Sequence, residues 1–265
     1  MNLAARRSTS TSRYSLGDTP FAGLGFISAD ERAVLAEEPL ALRTLAPGTE
    51  LLREGSQPES LYFLISGWAI RYITTRDGAR QIPGLLVPGG VCNLDNLLFE
   101  RADFGVRAIT RMDVLALPRI RALALAAEHP GVGRAFTWLA LAENAILSQW
   151  AVGLGRRTAL QRLAHLLCET SVRLSSGDGT GGGNGEGACS FELPLTQEVI
   201  ADVLGLTPVH VNRTMQQLRA QGYIVTAGRT ITVTDFQRLQ TLAEFDRSYL
   251  QQIERSAVSA PVMAD

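Results

Sequence analysis

Residues 195–222, LTQEVIADVLGLTPVHVNRTMQQLRAQG, constrain the fold more than any other part of this chain. They read as two short helices broken by a glycine, and each boundary has a chemical cause. Thr196 can cap the first helix through its hydroxyl, and Glu198 lies in the first turn, where the helix dipole favours negative charge. Val199, Ile200, Val203 and Leu204 recur at helical spacing, and Ala201 is small enough for a second helix to cross closely. Gly205 ends the helix because glycine enters the left-handed conformation cheaply. Thr207 then caps a second helix with Pro208 in its first position, where the missing N–H costs nothing. Val211, Thr214 or Met215, and Leu218 form the inward face, and Gly222 stops the helix.

Two helices joined so tightly form a helix-turn-helix, whose second helix can enter the major groove of DNA. The outward residues Val209, His210, Asn212, Arg213, Gln216 and Gln217 carry hydrogen-bonding ends and no carboxylate. Between residues 206 and 229 there are three Arg and no Asp or Glu, a field suited to phosphate. A plain helical hairpin with a solvated face is the bland alternative.

At these residues the chain resembles the Crp/Fnr family of bacterial transcription regulators, most closely members whose recognition helix reads Thr207-Pro208-Val209-His210-Val211-Asn212-Arg213. The resemblance implies that Arg213 reads a guanine and that Thr207 and His210 meet phosphates. Val209 departs from better-known members, which carry a glutamate there. A glutamate can accept from cytosine and a valine cannot, so the operator of those members does not transfer.

The 265 residues suffice for two domains with a core each, and 46% hydrophobic content with a mean hydropathy of +0.08 fits a soluble globular chain. The start, MNLAARRSTSTSR, has no apolar run behind its basic residues, and no stretch reaches the length of a membrane span. Cys92, Cys168 and Cys189 are far apart and odd in number, which suggests a reducing cytoplasm. Residues 191–265 hold six Arg against eight Asp plus Glu, a mark against nucleic-acid binding unless the charge is local. Every one of the 25 basic residues is arginine, which looks more like genomic composition than function.

Residues 1–20 are rich in Ser, Thr and Arg and read as a disordered arm. An Fnr-type oxygen sensor would hold cysteines there for an iron–sulfur cluster; this arm has none, which argues against that cofactor. Over residues 21–130, short runs at 50–53, 61–66, 68–74 and 81–87 read as strands punctuated by glycine turns, implying a β-roll. PGTELLREGSQPESLYFLISGWAIRY resembles the first half of the cyclic-nucleotide-binding roll that Crp/Fnr proteins carry. In cyclic-AMP binders an Arg-Ser pair meets the phosphate; here Asp103 and Phe104 occupy roughly that place. An acid there repels a phosphate, which argues against cyclic-nucleotide binding. Gly90, Asn93, Asp95 and Arg107 could line a different pocket or merely close the roll by hydrogen bonds. Cys92 reads as a small buried hydrophobe rather than a redox centre. His129, His165 and His210 make no metal-ligand spacing with any cysteine.

Residues 131–155 comprise a long helix and a hinge. Leu139, Ala142, Ile146 and Gln149 fall at steps of three and four, a helix–helix seam, with Trp138 and Trp150 placed to pack back onto the roll. By resemblance this is the dimerisation helix. Gly153 and Gly155 are expected to break it, and Thr158 with Gln161 has the form of a capping box that starts the next. Residues 156–240 then form a winged helix-turn-helix with a Gly-rich loop at 175–190. The wing strands are expected at 223–226 and 229–234, with Arg229 near the DNA backbone. Residues 241–265 hold the end of a final helix and a tail.

The fold class is therefore α+β: an N-terminal cyclic-nucleotide-binding-like β-roll, a long dimerisation helix and a C-terminal winged helix-turn-helix. The implied function is a cytoplasmic, homodimeric regulator that binds double-stranded DNA, with RNA polymerase as a further partner, no membrane, no metal and no resident cofactor. The rival is a ligand-binding signalling protein whose helix-turn-helix contacts protein instead of DNA. An enzyme is disfavoured, since there is no paired nucleophile and base and no phosphate-cradling loop.

Overall fold

The computed structural model describes residues 14–178 and 187–250. A 3₁₀ turn at Leu16–Asp18 leads to helix α1 (Ala29–Glu37), capped by Ser28 and closed by the Glu31 carboxylate, which accepts from the Ser28 N–H at 2.8 Å. Leu16 is fully buried and Phe21 packs against Phe63 and Phe136. The expected arm is thus corrected from residue 14 onward, because its apolar side chains cover the roll. Residues 1–13 lie outside the described residues.

Seven strands follow: β1 (Ala41–Leu45), β2 (Glu50–Leu52), β3 (Ser60–Ser66), β4 (Ala69–Thr74), β5 (Arg80–Leu86), β6 (Gly105–Ala108) and β7 (Met112–Pro118). All their pairings are antiparallel, in two sheets ordered β1-β7-β3 and β2-β6-β4-β5. Leu64, Ala69, Val106, Met112 and Val114 fill the space between the sheets. Gly67 turns β3 into β4 with φ +83°, and a Cβ there would lie 2.2 Å from the Arg111 carbonyl oxygen, so only glycine fits. A second core joins Leu16, Phe63, Leu117 and Phe136 beneath the helices.

The helices and wing are α2 (Arg119–Glu128), α3 (Pro130–Arg156), α4 (Ala159–Asp178), β8 (Cys189–Glu192), α5 (Gln197–Leu204), α6 (Pro208–Ala220), β9 (Ile224–Ala227), β10 (Thr230–Val233) and α7 (Phe236–Ala243). The wing sheet runs β8-β10-β9. Because α4 continues to Asp178 and β8 starts at Cys189, the expected Gly-rich loop shrinks at both ends; its centre, 179–186, lies outside the described residues, as does the tail from 251. Among the described residues no helix is long and apolar enough to cross a membrane.

The expected helix break at Gly153 and Gly155 is corrected. Helix α3 runs unbroken through Gly153 and Gly155, and the chain first leaves helical geometry at Arg157, with ψ 145°. Two glycines cost a helix roughly 0.5–1 kcal/mol each relative to alanine, too little to end one whose last turn is otherwise anchored. The anchor is Arg157: its guanidinium donates to the Gln149 carbonyl at 3.0 Å and to Gln149 Oε1 at 2.9 Å, and its N–H donates to the Gly153 carbonyl. Thr158 and Gln161 then form a reciprocal box at the start of α4.

Sensor and reader share a third core. Ile70, Ile82 and Leu85 of the roll pack with Leu163, Leu167, Val203 and Leu218 of the C-terminal half. Polar contacts cross the same boundary: Arg80 to Asp202 at 2.6 Å, and Arg173 to the Leu85 carbonyl at 2.8 Å. Glu169, fully buried on α4, gathers four parts of the chain. Its carboxylate accepts from Trp150 Nε1 of α3, from the Tyr249 hydroxyl near the C-terminal end, and from Arg173, whose other nitrogen holds the roll. Trp150 therefore packs against the core that roll and reader share, with its indole N–H turned to α4.

Candidate nucleic-acid interface

Helix α5 is capped by the Thr196 hydroxyl, which accepts from the Val199 N–H at 3.3 Å, and Gly205 ends it in the left-handed region at φ +61°. Thr207 caps α6 in the same way, accepting from the His210 N–H at 3.2 Å, with Pro208 in the first turn. Val211, Thr214 and Leu218 are buried against α4 and α5, and Thr214 returns its hydroxyl to the His210 carbonyl. This inward face fixes the roll angle of α6 and so decides which side chains look out.

Val209 is 80% exposed, and His210, Arg213, Gln216 and Gln217 are exposed beside it. Asn212 is half-buried; its amide donates to Gln197 Oε1 at 3.4 Å and its oxygen accepts from Gln216 at 2.9 Å. Among the described residues the guanidinium of Arg213 has no hydrogen-bond or ion partner. Arg229 is exposed at the wing turn, while Ile231 and Val233 of β10 are buried. Sequence reasoning missed two neighbours of this surface. Gln197 at the start of α5 braces Asn212, and Arg219 reaches from α6 to the Thr226 hydroxyl of the wing at 3.1 Å. The first could have been found from its place directly after the Thr196 cap.

The four residues considered for a roll pocket do not converge. Asn93 is fully buried and saturated: its oxygen accepts from the Tyr62 N–H and its amide donates to the Ser60 carbonyl and Asn96. It closes the roll. Gly90 accepts from the Leu64 N–H in the same closure. Arg107 lies over the Tyr72 ring and pairs with Glu50 at 3.1 Å. The Tyr72 hydroxyl and Arg107 together hold the Glu50 carboxyl down to about 2. Asp95 is pushed up by burial, against the pull of Arg71.

The cation that does occupy the inside of this region is Arg71 of β4, which the sequence did not single out. Its guanidinium donates to the carbonyls of Cys92 at 3.0 Å and Val91 at 2.7 Å, and to both oxygens of Glu143 on α3 at 2.7 and 2.9 Å. The Phe104 ring covers it at 5.0 Å. Burial alone would lower the guanidinium's pKa; Glu143 outweighs it and holds the value above the ordinary one. Burial pushes the neighbouring Cys92 thiol up to about 12. Among the described residues no cluster of three or more His, Cys, Asp or Glu is placed to hold a metal.

On α3 the seam expected from sequence faces the chain's own cores: Leu139 packs under the roll, Ala142 is buried, and Ile146 packs against the core that roll and reader share. The exposed stripe is offset from it. Ala140, Asn144, Leu147, Ala151 and Leu154 recur at steps of four and three, with Leu141 63% exposed alongside.

Two family models match, a cyclic nucleotide-binding domain over residues 42–129 and a Crp-like helix-turn-helix domain over residues 161–242. The order of the two domains matches the architecture just described. The chain belongs to the Crp/Fnr family. This Crp/Fnr regulator is 29% identical to the transcriptional activator protein FnrL of Cereibacter sphaeroides over 217 residues, covering 80% of this chain and 83% of that one. It is 28% identical to the nitrogen fixation regulation protein FixK of Azorhizobium caulinodans, covering 82% and 86%. The solved structure of FixK2 from Bradyrhizobium japonicum superimposes with a TM-score of 0.68 at 27% identity, over 77% of this chain and 96% of that one. The regulator is accordingly a DNA-binding transcription regulator.

Proposed function

We propose that this Crp/Fnr regulator acts as a homodimer whose two α6 helices read a palindromic operator. The observation that carries the reading is the unpartnered, exposed guanidinium of Arg213 on a helix whose opposite face is locked by Val211, Thr214 and Leu218. A free fork of N–H donors on a rigid helix is what bidentate recognition of a guanine edge needs. Val209 offers apolar contact to a thymine methyl, while Thr207, His210, Gln216, Gln217 and Arg229 border the same surface and suit phosphate or base edges. The absence of carboxylates from 206 to 229 removes repulsion toward the phosphates that this surface would meet.

Dimerisation would bury the exposed Ala140–Leu154 stripe against a second copy and place the recognition helices about 34 Å apart, one DNA turn. Activation of transcription, as the names of FnrL and its relatives suggest, would add RNA polymerase as a partner. In the roll, the Arg71–Glu143 pair takes up the buried cation that an anionic ligand would otherwise need, which disfavours a cyclic nucleotide there. The signal would then act by shifting two dimer arrangements through α3.

The experiment is selection of bound operators from random DNA, followed by anisotropy titration of the selected site. Arg213→Ala is expected to cost about 1–3 kcal/mol per half-site and to relax preference at one base pair. Unchanged affinity and unchanged preference overturn the assignment. Affinity that does not fall with rising salt would favour protein contacts instead.

A further inference from the structure

Val209, Asn212, Arg213 and Gln216 stand at i, i+3, i+4 and i+7 on α6, so one stripe of the helix carries all four. A helix laid in the major groove offers such a stripe to the base edges. Two of its members, Asn212 and Gln216, are joined in a chain of side-chain amides that begins on the other helix of the pair. Gln216 Nε2 donates to Asn212 Oδ1 at 2.9 Å. Asn212 Nδ2 in turn donates at 3.4 Å to Oε1 of Gln197, the first residue of α5.

An isolated amide on a helix surface turns over a broad range about its last torsion. Linked amides lose that choice. Once Gln197 accepts, Asn212 turns its oxygen the other way, and Gln216 has to meet that oxygen with an N–H. The three therefore run in one direction, and the direction decides what is left to offer. Among the described residues Gln216 keeps one N–H and its whole carbonyl without a partner, a donor and an acceptor on a single exposed amide. With the chain reversed it would turn its carbonyl inward and show two N–H groups. A donor beside an acceptor complements the major-groove edge of adenine, N7 and N6–H. Two donors suit guanine, whose N7 and O6 both accept.

We propose that Gln216 reads an adenine in the base pair beside the one read by Arg213, its neighbour three residues earlier on the same face. Gln197 and Asn212 are positioning residues that set the direction of the Gln216 amide. The inference rests on α6 being the reading helix, and it adds the base and the device that orients the side chain reading it. Through Gln197 the first helix of the pair tunes the specificity of the second.

The test uses the full chain and the selected operator, with each half-site base pair replaced in turn by the other three, in anisotropy competition at one salt concentration. Beside the guanine that depends on Arg213, the wild type is expected to prefer adenine on the order of tenfold, and Gln216→Ala to lose that preference. Gln197→Glu can only accept, so it holds the observed direction and is expected to keep the preference. Gln197→Lys can only donate, so it reverses the chain and is expected to move the preference toward guanine. The charges these two variants add change affinity for every sequence alike and leave the ratio between bases to report the amide. Unchanged preference in Gln216→Ala overturns the proposal, as do identical base profiles for Gln197→Glu and Gln197→Lys. Arg213→Ala tells the two failures apart: if it alone alters preference, the amide chain is refuted and α6 remains the reading helix, and if no variant does, the reading of α6 falls as well.

Discussion

Removing Glu143 isolates the contact that joins roll to long helix. In Glu143→Gln the side chain keeps its size and can still accept one hydrogen bond, so the loss is mainly charge. Two unit charges about 4 Å apart attract by about 4 kcal/mol at an effective permittivity near 20. Arg71 is 13% exposed and Glu143 34% exposed, so water returns part of that attraction when the pair breaks. Arg71 also keeps its bonds to the Cys92 and Val91 carbonyls. The expected destabilisation is therefore about 2 kcal/mol, below the 3–5 kcal/mol typical of a fully buried pair. Urea unfolding of the wild type, Glu143→Gln, Arg71→Met and the double variant measures it as a coupling energy. If the two single losses simply add, the pair contributes nothing and the roll is not clasped to the helix by charge.

Acid should destabilise the protein through His165. Burial, and then the Arg157 charge, depress its pKa to about 4 from an ordinary 6.5. Between these values the unfolded chain binds the proton and the folded one does not, so its contribution is complete above pH 6.5 and lost as pH falls toward 4. The full swing is on the order of 3 kcal/mol; His165→Gln should flatten the stability profile over that window, and an unchanged profile would dismiss the argument. Leu147→Glu, at the centre of the exposed stripe, should weaken dimerisation more than about tenfold by sedimentation, since it sets a charge on each side of the two-fold contact. An unaltered dimer would move the interface off α3.

The helix-turn-helix was legible because caps and glycines act locally: Thr196, Gly205, Thr207 and Pro208 each do in the structure what their chemistry dictates within one turn. The strands of the roll were legible in part, since 61–66 and 81–87 fall within a residue of β3 and β5, while β1, β6 and β7 were not named. Two misreadings share a cause. Gly153 and Gly155 looked like a break because the anchor that overrides them joins Arg157 to Gln149, two residues that stand eight apart with the glycines between them. The Leu139–Gln149 seam has correct spacing, but periodicity does not tell a face turned to a second copy from one turned to the chain's own roll. Arg71 and Glu143 were invisible for the plainest reason: 72 residues separate them, and nothing local marks either as half of a pair.

The junction at Glu169 bears on how such regulators can be recombined. One carboxylate on α4 takes a proton donor from α3, another from the C-terminal end and a third that also grips the roll. A reader grafted from a relative at the helix boundary would bring its own α4 and put at risk the two links that cross the cut, Trp150 to Glu169 and Arg173 to the Leu85 carbonyl. Chimeras that keep residues 150, 169, 173 and 249 from one parent should therefore fold and respond where cuts at the apparent domain border yield parts that no longer speak to each other.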